Sequence, residues 1–95
     1  SIQLKNKTAE GCAIQTGPLR LVICKTDTGL IGCGLVDVMV YDRFQFPAAK
    51  VRAEGKPLIE TVEDALNGIV REVNETAQKR GVKAGMTGRE ALELM

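Results

Sequence analysis

The chain has no histidine and no tryptophan, and its only aromatic side chains are Tyr41, Phe44 and Phe46. Without histidine there is no Cys–His or Ser–His pair for nucleophilic catalysis and no imidazole to ligate a metal. With so few rings, the core must be built from Val, Leu, Ile, Met and Ala. Long apolar runs are missing too. Lys25, Asp27 and Asp37 interrupt the best candidate well before the ~18 residues a membrane helix needs. The first residues do not follow the charged-then-apolar pattern of a secretory leader.

Cysteine is sparse and odd in number: Cys12, Cys24 and Cys33, with no CxxC spacing. Small secreted scaffolds rely on an even and denser set, so reduced thiols in a cytoplasmic protein are expected. Structural zinc spacings are lacking, and neither a metal nor a cofactor is expected. Nor does one sign of charge dominate. Thirteen Lys and Arg face twelve Asp and Glu, for a net charge of +1. Residues 1–59 carry eight basic and five acidic side chains, and residues 60–95 carry five and seven. Neither part has the basic excess that phosphate-backbone binding requires. No nucleic-acid partner is expected, and a helix-turn-helix reading of the C-terminal part fails on the same ground.

Apolar density concentrates in Leu19–Asp37, which reads as a hairpin over about 19–34 around a Thr26–Gly29 turn in which Gly29 would supply a positive φ. In its first strand Leu19, Leu21 and Ile23 share one face, while Val22 and Cys24 share the other with Arg20. A strand apolar on both faces is buried on both. In 95 residues one cover would be the domain's own helices and the other a partner subunit, so a homo-oligomer is expected. Before the hairpin, Ile2–Lys5 alternates as a strand, Glu10-Gly11 suggests a turn, Cys12–Ile14 a short strand and Gly17-Pro18 a break. After it, Ala48–Arg52 suggests a further strand and residues 54–57 a surface turn.

The last third shows helical spacing. Val62, Ala65, Leu66, Ile69, Val70, Val73 and Ala77 recur at three- and four-residue steps. This predicts helix over about 62–80, divided at Asn67-Gly68 into a short segment and a longer one, Ile69–Arg80. Thr61 with Asp64 and Thr87 with Glu90 read as helix-starting capping boxes, the second opening a helix over about 88–95. Residues 35–44 remain ambiguous: their Val and Tyr content favours strand, but Asp37 is a good N-cap for a helix beginning at Val38.

Gly81-Val82-Lys83-Ala84-Gly85-Met86-Thr87-Gly88-Arg89-Glu90-Ala91-Leu92 closely resembles the ending of the YunC-like family, a bacterial and archaeal domain of unknown function. Cys33-Gly34-Leu35-Val36-Asp37-Val38 and the turn at Asp27–Ile31 are similar to the same family. The chain departs from the pattern after Arg52, where AEGKPLIE intervenes before Thr61. The resemblance implies an α+β domain, a helix after Asp37, and a β-rich N-terminal region that forms a tetramer. The expected organisation is one domain over 1–95, with a small antiparallel sheet in residues 1–60 and helices in 61–95.

Few residues invite chemistry. Cys33, between two glycines ahead of a helix, is a candidate nucleophile, with a small buried apolar residue as the plainer reading. Asp37 is a candidate acid or base, although its capping role accounts for it equally. Arg52 and Arg89, with Lys50, are candidates to hold a small anionic ligand. Gly29-x-x-Gly32-x-Gly34 reverses the dinucleotide fingerprint and lacks a surrounding βαβ unit. The function expected is that of a homo-oligomeric structural or small-ligand-binding domain. The alternative is a small enzyme acting on an anionic metabolite at a subunit boundary near Cys33 and Asp37.

Overall fold

The computed structural model describes every residue from Ser1 to Met95. In chain order the elements are β1 (Ile2–Gln3), β2 (Thr8–Thr16), β3 (Leu19–Lys25), β4 (Leu30–Gly32), α1 (Val38–Arg43), β5 (Ala48–Arg52), α2 (Val62–Asn67), β6 (Ile69–Val73), α3 (Glu75–Gln78) and α4 (Gly88–Leu94). The strands form one six-stranded sheet in the order of the chain. All neighbours are antiparallel except β4 and β5, which run parallel with Ile31 beside Ala49. The α+β class is as expected. The sheet, however, is mixed and extends into the C-terminal third.

Three local expectations are corrected. Glu10-Gly11 does not turn; it lies inside β2. Its glycine serves a crossing instead, because a Cβ on Gly11 would come within 2.6 Å of Val62 Cγ2 on α2. Gly17-Pro18 breaks the chain as expected, in a two-residue hairpin turn between Thr16 and Leu19 with Gly17 at φ 61, the arrangement a type II′ turn requires. Gly29 does not take a positive φ. Met95 occupies the space a side chain there would need, and the Thr28 hydroxyl donates to the Met95 carbonyl.

The largest correction concerns Ile69–Arg80, which is not one helix. Ile69–Val73 is strand β6, and only Glu75–Gln78 is helical. The strand is irregular where Lys50 and Val51 face it, so an extra residue lies between Val70 and Val73. Both valines therefore reach the covered face at a spacing that also fits a helix. The outer edge of β6 is held by the segment before α4. Val70 N–H donates to the Met86 carbonyl at 2.7 Å, and Gly85 N–H donates to the Val70 carbonyl at 2.9 Å.

The two capping boxes are present in full. The Thr61 and Thr87 hydroxyls accept from Asp64 and Glu90 N–H, and those two carboxylates accept from the cap N–H groups. Asp37 caps α1, as the resemblance implies. At its other end α1 closes with Gln45 at φ 56, the Phe46 N–H on the Tyr41 carbonyl, and the Tyr41 and Phe46 rings 5.7 Å apart.

Helices α2 and α4 cover one face of the sheet. Under them Val22, Cys24, Ile31, Val51 and Val70 join Leu66, Ala91 and Leu92 in one buried cluster. The other face is covered only where α1 lies on Leu30 and Ala48. Beyond that patch, on β2 and β3, Leu21 and Ile23 are half-buried, Ile14 is 50% exposed and Leu19 36%. No helix is long and apolar enough to cross a membrane.

Candidate functional site

Because β3 is antiparallel to β4, and β4 is parallel to β5, the start of β3 and the ends of β4 and β5 lie together at one end of the sheet. A cavity of about 260 Å³ opens there. Arg20 enters from β3, Cys33 and Leu35 from the turn after β4, and Arg52 from β5. Leu58 and Glu60 come from the loop leading to α2, the stretch where the chain departs from the family pattern.

That loop is pinned by charge. Lys56 Nζ lies 3.0 Å from Glu60 and 3.1 Å from Asp64. Asp64 also accepts the Glu60 and Thr61 N–H groups at 3.0 and 3.1 Å. The Glu60 N–H and, after it, the Lys56 ammonium hold the Asp64 carboxyl below its usual range, while Glu60 first and Asp64 second hold Lys56 above its own. Glu60 thus lines the cavity already paired.

The structure gathers two of the sequence candidates, Cys33 and Arg52, at this cavity. Cys33 is 4% exposed. Its Sγ accepts the Val22 N–H at 3.4 Å and lies 3.8 Å from the Arg20 carbonyl, so the thiol ties the end of β4 to β3. The other candidates stand elsewhere. Asp37 Oδ1 accepts the Met39 N–H at 3.0 Å as the cap of α1. On α4, the Arg89 Nη1 donates to the Gln3 carbonyl at 3.2 Å. Lys50 pairs with Glu72 at 3.6 Å.

Arg20 was not among the sequence candidates. Its signal was present nonetheless, as the one polar residue on the covered side of an otherwise apolar strand. The Arg20 Nε is shut off from water and has no hydrogen-bond partner. The five ion pairs of the molecule all use lysines, so neither Arg20 nor Arg52 is neutralised by a carboxylate.

The remaining buried polar groups are structural. Asn74 is 1% exposed. Its Oδ1 accepts the Ala48 and Ala77 N–H groups at 3.2 and 2.8 Å, and its Nδ2 donates to the Val38 and Phe46 carbonyls at 3.0 and 2.9 Å. One side chain thereby joins α1, β5 and α3 with every hydrogen-bonding position filled. Asp42 accepts the Thr76 N–H at 3.0 Å and its hydroxyl at 2.8 Å, which together hold its carboxyl below the usual range. Burial, with a smaller contribution from Glu63, pushes the Cys24 thiol up to about 11. No group of three or more His, Cys, Asp or Glu side chains is placed to hold a metal ion.

These features define a small α+β domain with one mixed sheet, two helices on one face and a two-arginine cavity at its end. Residues 32–95 match the family described as Domain of unknown function (DUF1805), and the chain belongs to that family. This agrees with the YunC-like resemblance. Among solved structures the chain is similar to a protein of unknown function, TA1206 from Thermoplasma acidophilum, with a TM-score of 0.70 over 96% of each chain and 19% identity. That likeness is one of fold. No curated protein matches.

Proposed function

We propose that the domain is a structural, self-associating unit of the cytoplasm that assembles as a tetramer through its β2–β3 side. The observation that carries this reading is an open strand edge. β1 pairs only with Thr8 and Ala9, which leaves the outer edge of β2 beyond Ala9 without a partner strand. Residues 11–16, Gly-Cys-Ala-Ile-Gln-Thr, hold neither charge nor proline, so the devices that usually guard an edge are missing there. Such an edge pairs readily with its own copy about a two-fold axis, giving an isologous contact. A second two-fold contact, through the adjoining apolar face of Ile14, Leu19, Leu21 and Ile23, would join two such dimers into the tetramer.

Light scattering at micromolar concentration tests the proposal, with a mass of four chains expected. A monomer would remove it. Ile14→Lys is expected to yield a smaller species with an unchanged circular dichroism spectrum. An unchanged mass in that variant would exclude the β2–β3 side as the contact.

A further inference from the structure

We infer that the cavity at the end of β4 and β5 binds a small organic anion, a carboxylate or phosphate group carried on a short apolar body, through Arg20 and Arg52. This goes beyond the assembly reading and does not depend on it, since all the residues involved belong to one chain.

The first support is an unmet hydrogen-bonding requirement. A guanidinium is always charged and offers five N–H donors in a rigid fork. The Arg20 Nε lies inside the wall, out of reach of water and of any protein acceptor, which leaves the terminal N–H groups of the fork to meet a ligand. Arg52 stands on the same cavity and makes no ion pair. The one carboxylate on the wall, Glu60, is held by Lys56 at 3.0 Å and so does not serve either arginine. Two arginines without a carboxylate partner line this one cavity, and a guanidinium meets a carboxylate or phosphate with paired hydrogen bonds.

The second support is the shape and polarity of the remaining wall. Leu35 and Leu58 are each 49% exposed, and both line this cavity. Exposed leucines facing two cations make an amphipathic site, which selects against free inorganic anions and against neutral hydrocarbons alike. At about 260 Å³ the cavity falls just below the ~300–1,000 Å³ of pockets for drug-sized ligands, so the ligand is a small one. Cys33, with its sulfur engaged by the Val22 N–H, forms part of the floor and takes no chemical step.

Titration calorimetry of the full chain with hexanoate and with n-butyl phosphate tests the inference, with 1-hexanol and inorganic phosphate as controls. Saturable binding of either amphipathic anion is expected, and which of the two binds tells a carboxylate from a phosphate ligand. Methyl NMR signals of Leu35 and Leu58 should shift along the same titration. Arg20→Met and Arg52→Gln are each expected to weaken binding about tenfold or more, as loss of a charge-assisted contact does, whereas Arg89→Gln should leave it unchanged. Arg52 is exposed, so its variant reports on the site even if Arg20→Met does not fold. The inference is overturned if neither anion binds, if hexanol binds as well as hexanoate, if inorganic phosphate binds as well as butyl phosphate, or if Arg52→Gln binds like the native chain.

Discussion

The two halves of the sheet are finished differently. Around β4 and β5 both faces carry helices, and the outer edge of β6 is hydrogen-bonded by the segment before α4. Around β2 and β3 one face is covered, the other shows half-exposed apolar side chains, and the edge of β2 is bare beyond Ala9. A single strand illustrates the contrast, since Val22 and Cys24 on one side of β3 are fully buried while Leu19 on the other is 36% exposed. Stability is therefore concentrated in the C-terminal half of the sheet and on one face. The open half has apolar surface to spare for another molecule.

The largest contrast should appear in thiol reactivity. Cys12 is exposed on the open half, whereas Cys24 and Cys33 are buried, so in the dissociated Ile14→Lys variant a thiol reagent should modify one cysteine quickly and two only through opening of the fold. Protection of Cys12 in the native protein, lifted by Ile14→Lys, would show that a subunit covers it. Fast labelling of Cys24 would show that the covered face is no better sealed than the open one.

Core truncations come next. Ile31→Ala should cost about 2–5 kcal/mol in urea denaturation, because Ile31 is fully buried. Ile14→Ala should cost no more than about 0.5 kcal/mol in the isolated chain. Equal costs would abolish the distinction between the halves. Asn74→Ala should destabilise by roughly 1–3 kcal/mol, since it orphans the N–H of Ala48 and the carbonyls of Val38 and Phe46.

The smallest expected effect is a pH dependence in the sealed half. The Asp42 carboxyl is held below its usual range by Thr76. A group whose pKa is lowered on folding stabilises above its unfolded value and loses that contribution as the pH falls through its folded one. Asp42→Asn should therefore lower the thermal midpoint at neutral pH, with the gap from the native chain closing below about pH 4. A gap that persisted at strongly acidic pH would mean that geometry, and not charge, sets the contribution of this contact.

Much of the fold could be read from local chemistry. The 19–34 hairpin, the strand Ala48–Arg52 and both capping boxes depend on residues near each other in sequence, and the structure has each of them. Strand β6 escaped because its irregular pairing brings Val70 and Val73 to one face at a three-residue step, which periodicity assigns to a helix. The cavity escaped for another reason. Arg20, Cys33, Arg52 and Leu58 meet only because β4 and β5 run parallel, and no spacing in the sequence announces a parallel pair. Arg89, a candidate by charge alone, is occupied by a backbone carbonyl on the β1 side.

The strand order has a consequence for how the chain acquires this structure. Every strand lies beside its neighbour in sequence, so no ladder waits for a distant segment to return. The entropy lost in closing each loop stays small, and contacts that are local in sequence favour rapid folding. The exceptions are the parallel pair, whose crossover from Gly32 to Ala48 carries α1, and the β5–β6 pair, whose connection from Arg52 to Ile69 carries α2; each must close a longer loop than a two-residue turn. Closure of these two connections is thus the expected slow event. Substitutions at the Asn74 clamp should retard refolding, while those in the Gly17-Pro18 turn should act at the first step of assembly.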